Sequence, residues 1–271
     1  MKISFLGGGN MASALIGGLR EQGFAAQDIQ VVELLEAGRQ RLVEQFAVRV
    51  QAAPDAAFLA CDVLVLAVKP QQMREALQPL AGQLAQQIVV SIAAGLRLAD
   101  LSRWLGGYTR LVRAMPNTPS LIGMGMTGLY ADASVPEQGR EAASRIMQAV
   151  GRSVWLDSEA QIDAVTAISG SGPAYVFYFL EALQAAGESL GLDSAAARML
   201  AQETFVGASA LAARSEESLA VLRERVTSKG GTTEAALRSM TAAGLPASIG
   251  HAVLAAAQRS AELGEQLGKD A

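Results

Sequence analysis

Ile3-Ser4-Phe5-Leu6-Gly7-Gly8-Gly9-Asn10-Met11-Ala12 is the stretch whose reading decides the fold. Its first four residues form an apolar run of strand character that stops at three glycines. Beyond the glycines, Met11, Leu15, Ile16 and Leu19 fall on one helical face, and Gly23 follows as a stop signal. The run contains G-x-G-x-x-A, a pattern that 27 glycines produce about once by chance, so the letters alone carry little. Their placement carries more. At the junction of a strand with an amphipathic helix, Gly7 permits the tight turn, Gly9 lets a pyrophosphate approach the backbone, and Ala12 lets helix pack on strand. The helix start at Asn10 and Met11 then offers free N–H groups and a positive dipole end to phosphates.

Working outward, short β-branched runs recur at Gln30–Val32, Val63–Ala67, Val89–Ile92 and Leu111–Ala114, with later ones near Gly128–Tyr130 and Ser153–Leu156 and a weak one at Val48–Val50. Helical segments alternate with them, as a parallel sheet with crossover helices requires. From Asp157 onward strand signals cease and alanine-rich helical periodicity takes over, broken at Gly170–Pro173, Gly191, Gly230–Gly231 and Gly244. The expected fold is an α/β Rossmann-type dinucleotide-binding domain over residues 1–157, followed by an all-α domain over 158–271. A helical array this rich in small residues packs closely and is expected to bury itself against a second copy, giving a homodimer.

The totals narrow the function. The chain has 271 residues, a formal charge of −4 and 18% charged residues, and lacks the basic excess of a nucleic-acid binder. No apolar run reaches the ~18 residues of a membrane span, and the N-terminus opens directly on a strand without a signal segment, so the expected location is cytoplasmic. Cys61 is the one cysteine and His251 the one histidine, which leaves no metal-ligand cluster and no catalytic His paired with an acid. The expected partner is a small molecule.

Further loops stand where the carboxyl ends of parallel strands meet the ligand crevice. Ala67-Val68-Lys69-Pro70 and the segment with Ala93 and Ala94 bring small residues to the backbone near a nicotinamide ribose, and Pro70 stiffens the first; an ordinary surface lysine is the other reading of Lys69. Asn117, between Pro116 and Pro119, stands at the site as a cofactor-binding residue or forms a turn. Glu33 ends the second strand, 26 residues after Gly7, where an acidic side chain accepts hydrogen bonds from the adenosine ribose hydroxyls. NADH is therefore expected to serve at least as well as NADPH. Reaching back by Arg39 or Arg41, or a solvent-facing Glu33, is the alternative. In the helical half, Ser169-Gly170-Ser171-Gly172-Pro173 precedes a long helix and suits a carboxylate, and Thr227–Thr233, with Lys229, Thr232 and Thr233, also precedes a helix. Helix caps without a ligand are the plain alternative for both.

Together these segments resemble pyrroline-5-carboxylate reductases. The resemblance is carried by G-G-G-N-M-A from Gly7, L-A-V-K-P, V-S-I-A-A-G, R-A-M-P-N-T-P from Arg113, I-D-A-V-T-A-I-S-G-S-G-P-A-Y from Ile162, and V-T-S-K-G-G-T-T-E-A-A-L from Val226. It implies hydride transfer from NAD(P)H to the C=N bond of 1-pyrroline-5-carboxylate, giving L-proline. It also implies that the helical domain interlocks with a partner, commonly in a ring of five dimers. Ser169–Tyr175 would face the substrate carboxylate, and Thr227–Thr233 would complete the pocket from the neighbouring subunit. Two positions depart from the family: Glu33-Leu34 replaces a small polar residue followed by a basic one, and Tyr178 stands where some members place a threonine. A hydroxyacid or ketopantoate reductase needs a catalytic lysine on the helical domain, which the loop around Lys229 matches poorly. A non-catalytic dinucleotide sensor would not need the two polar loops.

Overall fold

A computed structural model describes residues 1–269, so the last two residues of the expected helical domain lie outside it. By internal contacts the chain forms two compact units, Met1–Ser171 together with the residues from Ala256 onward, and Gly172–Ala255.

In the first unit, eight strands run β1 (Ile3–Leu6), β2 (Ile29–Val32), β3 (Arg49–Gln51), β4 (Val63–Leu66), β5 (Ile88–Ser91), β6 (Leu111–Met115), β7 (Gly125–Ala131) and β8 (Gly151–Trp155). They form one sheet in the order β3-β2-β1-β4-β5-β6-β7-β8. From β3 to β6 all pairs are parallel. β7 runs antiparallel to β6, and β8 is parallel to β7. The reversal follows from the connection: between β6 and β7 lies only a short 3-10 helix, Thr118–Ile122, and a parallel crossover needs a longer segment.

The helices of this unit are α1 (Asn10–Glu21), α2 (Glu36–Phe46), α3 (Ala56–Leu59), α4 (Pro70–Leu77), α5 (Leu98–Trp104), α6 (Glu137–Gln148) and α7 (Gln161–Val165). Strands β1, β4 and β5 are buried on both faces, which is why they read as apolar runs interrupted only by the buried Ser4 and Ser91. On one face Leu15, Ile16 and Leu19 of α1 and Ile146 and Met147 of α6 pack against Phe5, Val31, Val65 and Val90. On the other, Phe58, Met73, Leu77 and Leu101 pack against Leu64, Leu66 and Val89. Each fully buried aliphatic side chain contributes about 1.5–3 kcal/mol. α1 stops as its sequence indicates: Gly23 takes φ +88° and the Phe24 N–H closes on the Leu19 carbonyl at 3.0 Å.

The second unit contains α8 (Gly172–Ser189), α9 (Ser194–Arg214), α10 (Leu219–Arg225), α11 (Thr232–Ala242) and the first part of α12 (Leu245–Leu267). α8, α10 and α11 have no buried residue, whereas Ala197 and Ala201 of α9 are buried. Large apolar side chains stand uncovered, among them Phe177, Leu190, Leu200, Val206 and Leu211. No single helix among the described residues is long and apolar enough to cross a membrane.

Candidate active site

The chain leaves β1, turns to one side of the sheet for β2 and β3, and returns to add β4 on the other. The crevice for a ligand therefore opens beyond the ends of β1 and β4. Two main-chain bonds tie the end of β1 to its neighbours, Gly7 N–H to Val32 O of β2 and Ala67 N–H, just after β4, to Leu6 O, both 2.8 Å. Gly7 has φ +100°, and a Cβ there would stand 2.7 Å from the Ala67 carbonyl oxygen. At Gly9, by contrast, a Cβ would meet no atom within 4 Å, and this exposed glycine is the N-cap of α1 with no side chain capping the helix. Room at the turn and an uncapped helix start at Asn10 and Met11 fit a pyrophosphate.

Glu33 stands at this turn. Its Oε2 accepts the Gly8 N–H at 3.0 Å and its Oε1 accepts the Leu35 N–H at 2.9 Å. Both arginines of α2 reach back: Arg41 donates to the Gly8 carbonyl at 2.8 Å, and Arg39 to the carbonyls of Glu33 and Leu34 at 3.0 and 2.6 Å. The Gly8 residue is thus gripped from both sides. Ala67 and Val68 are half-buried beside β4, and exposed Lys69 precedes Pro70 as the N-cap of α4. Ala93 is buried and Ala94 exposed after β5. Behind that loop, Gly95 takes φ +82° against Gly264 and Leu267 of α12.

After β6, Asn117 accepts the Met126 N–H through Oδ1 at 2.9 Å and donates through Nδ2 to the carbonyl and hydroxyl of Ser169 at 3.1 and 3.2 Å. That brings two sequence-predicted residues together. The serine-glycine segment is not an open loop: Thr166–Gly170 is a π-helical turn, closed by Ser171 N–H to Thr166 O at 2.8 Å. One N–H expected to be free is therefore used within the turn. Gly170 packs against Met115, whose terminal Cε would have to move aside for a Cβ placed 2.7 Å from it. Gly172 and Pro173 begin α8.

In the second unit, Thr232 and Thr233 form the first turn of α11, where the Glu234 carboxylate accepts the Gly230 N–H at 2.6 Å.

Two family descriptions match this chain: pyrroline-5-carboxylate reductase dimerisation over residues 159–263, and NADP oxidoreductase, coenzyme F420-dependent, over residues 2–95. The pyrroline-5-carboxylate reductase of Pseudomonas aeruginosa is 49% identical over 99% of this chain and 98% of its own length. The chain belongs to the pyrroline-5-carboxylate reductase family. The family's Vibrio alginolyticus member is 41% identical over 97% of each chain. Among solved structures, the pyrroline-5-carboxylate reductase of Coxiella burnetii superposes with a TM-score of 0.92 at 40% identity, covering 97% of this chain and 98% of that one. The Plasmodium falciparum pyrroline carboxylate reductase, solved with NADP bound, superposes at 0.85 with 27% identity over the same shares. This member of the family is an NAD(P)H-dependent oxidoreductase with a Rossmann domain and the family's dimerisation region.

Sequence reasoning missed several residues at this reductase site. Met126, which fixes Asn117, and Glu159 carry no local motif of their own, and Arg113, joined to Glu159 at 3.2 Å, opens the R-A-M-P-N-T-P segment without that segment pointing to its partner. A buried arginine inside an otherwise apolar strand is the one signal that points to the second pair. Tyr178, at the family's threonine position, is 74% exposed in the single chain.

Proposed function

We propose that this chain reduces 1-pyrroline-5-carboxylate to L-proline, the final step of proline biosynthesis, and that its own residues act by positioning. The observation that carries this reading is the Asn117 clamp, which ties the end of β6 to the Ser169–Ser171 turn of the family's substrate loop. The reduced nicotinamide, when bound, supplies a hydride to the carbon of the C=N bond. Gly7, Gly9, Asn10 and Met11 hold its pyrophosphate, and the loops Ala67–Pro70 and Ala93–Ala94 border the nicotinamide ribose. Ser169, Gly170, Ser171, Gly172 and Pro173 receive the substrate carboxylate at the start of α8, with Thr232 and Thr233 supplied by a neighbouring subunit. A protonated imine is already electron-poor, so no side chain has to polarise it, and turnover falls as rising pH removes the imine proton.

Cofactor choice turns on Glu33. With two backbone donors fixing its carboxylate, its remaining lone pairs accept ribose hydroxyls, while a 2′-phosphate would meet a like charge. Arg39 and Arg41 direct guanidinium donors to main-chain carbonyls. NADH serves at least as well as NADPH, and Glu33→Ser with Leu34→Arg shifts preference toward NADPH. A difference of ~1.4 kcal/mol changes the ratio tenfold. The assembly is a homodimer through the helical unit, five dimers forming a ring, and it works in the cytoplasm.

The deciding assay follows NADH and NADPH oxidation with pyrroline-5-carboxylate and with a 2-keto acid. Activity on the imine is the expected result, and activity confined to the keto acid would overturn the reading. A kcat/KM more than about tenfold higher with NADPH would remove Glu33 as the ribose-reading residue.

A further inference from the structure

We propose that Arg113 is a positioning residue for the reduction, a buried cation that holds the cofactor-facing loop 92–97 and the substrate-facing turn 166–171 in fixed relation; the proposal rests on the imine-reductase reading above. Arg113 lies within β6 with only 3% of its surface exposed, between the core residues Val112 and Ala114. A charge in that place carries a desolvation penalty that a well-packed apolar residue would not. Burial pushes the guanidinium pKa down, and the carboxylates of Glu159 and Asp163 oppose that shift.

The carboxylate partner of this cation, Glu159, reaches both walls of the site, because its side chain bonds the start of α5 and its carbonyl accepts the Ile162 N–H of α7 at 3.0 Å. Arg113 Nη1 stands 3.2 Å from Glu159 Oε1, and the same oxygen accepts the Leu98 N–H at 2.8 Å. Leu98 is the first residue of α5, directly after the loop that carries Ala93 and Ala94, so the pair anchors the exit of the cofactor-facing loop. Asp163 lies in α7, which runs without a break into the π turn ending at Ser171, and its Oδ1 accepts the Ser260 hydroxyl of α12 at 2.6 Å. Farther along β6, Met115 packs against Gly170, and beyond the strand Asn117 holds Ser169. Arg97 adds a like charge on the other side, and its guanidinium is 3.9 Å from Glu265.

An apolar side chain at position 113 would fill the volume, but it would not set direction. The guanidinium is a planar fork whose Nη1 donor fixes where Glu159 stands, and through Glu159 the start of α5; its buried Nε has no hydrogen-bond partner among the described residues. Hydride transfer is sensitive to such placement, because displacement by an ångström from a remote change costs about 100-fold in rate.

The test uses the full chain with Arg113→Met/Glu159→Gln, which removes both charges, and with Arg113→Lys, which keeps the charge and loses the fork. Five quantities are read: Tm, dinucleotide Kd by fluorescence, kcat and KM for the imine, and the isotope effect on kcat with 4-deuterated NADH. The expected result is a fall of about 100-fold in kcat/KM for the double variant, with dinucleotide Kd within about threefold and a larger isotope effect, and only partial recovery with lysine. Activity within about threefold of the unsubstituted chain, or parallel loss of dinucleotide affinity, Tm and activity, overturns the proposal. If the double variant does not fold, Arg113→Lys decides: a drop in kcat of about tenfold or more at unchanged Kd supports the role, and any other result removes it. An unsubstituted chain inactive on the imine would instead overturn the functional reading itself.

Discussion

Gly7 and Gly9 stand two residues apart and are glycine for opposite reasons. At Gly7 a Cβ would strike the Ala67 carbonyl, so the packing of β1 beside β4 excludes any side chain. At Gly9 no described atom of the protein lies within 4 Å of a Cβ, and under the proposed function the exclusion would come from the dinucleotide. Gly7→Ala should therefore lower Tm, whereas Gly9→Val should leave Tm nearly unchanged and abolish dinucleotide binding. Calorimetry and fluorescence titration separate the two; a folded Gly9→Val with unchanged affinity would show that the pyrophosphate lies elsewhere. Ala47 offers a converse case. It closes α2 in the left-handed region at φ +55°, where a Cβ is strained, so Ala47→Gly should stabilise the chain by about 0.5–1 kcal/mol, visible as a higher denaturant midpoint. Burial pushes the Cys61 thiol up, so at mildly alkaline pH the native chain should react with iodoacetamide more slowly than the unfolded one. The glycine roles were legible because each is a local steric demand. That Arg39 or Arg41 reaches back was one of the two readings of the sequence, but the carbonyl of Gly8 as the target of Arg41, and the bond of Glu33 to the Gly8 N–H, were not, because they depend on how α2 returns over the turn.

The turn before α8 shows what an element adds to its residues. Ser-Gly-Ser-Gly-Pro reads as a break, since glycine and proline interrupt helices. In the structure α7 continues through it as a π turn, with the Thr166 hydroxyl bonded back to Ile162 O at 2.8 Å and Asn117 holding the far side. Asn117 joins residues 52 positions apart, and that distance hides it from local pattern reading. Asn117→Ala should raise KM for the imine while leaving dinucleotide Kd in place, and steady-state kinetics beside a binding titration would expose the opposite outcome. Ser171→Ala should cost on the order of 1 kcal/mol in substrate binding, one donor among several. The direction of β7 was equally hidden, because it is set by the length of the β6–β7 connection rather than by strand residues.

At the scale of the molecule, alternation of strands and helices made the dinucleotide-binding fold readable, apart from the antiparallel turn into β7. The helical half was readable only as helices. Many of its large apolar side chains stay exposed within one chain, so periodicity shows their faces without showing what covers them. Covering Phe177, Leu200 and Leu211 would stabilise an assembly by about 1.5–3 kcal/mol per side chain. Leu200→Glu should shift light scattering toward the monomer and lower Tm, and an unchanged mass would mean that this face of α9 is not an interface.

The return of α12 to the first unit has a bearing on how the protein is made. Gly264 packs so closely on the Gly95 carbonyl that a Cβ would stand 2.8 Å from it, and Arg103 donates to the Gly268 carbonyl at 2.6 Å. As the chain leaves the ribosome, the sheet is synthesised first, but the loop at Gly95 and the start of α5 wait for residues translated after the whole helical unit. During that interval the nascent sheet carries an unfinished flank, and the unit begun earliest is completed last.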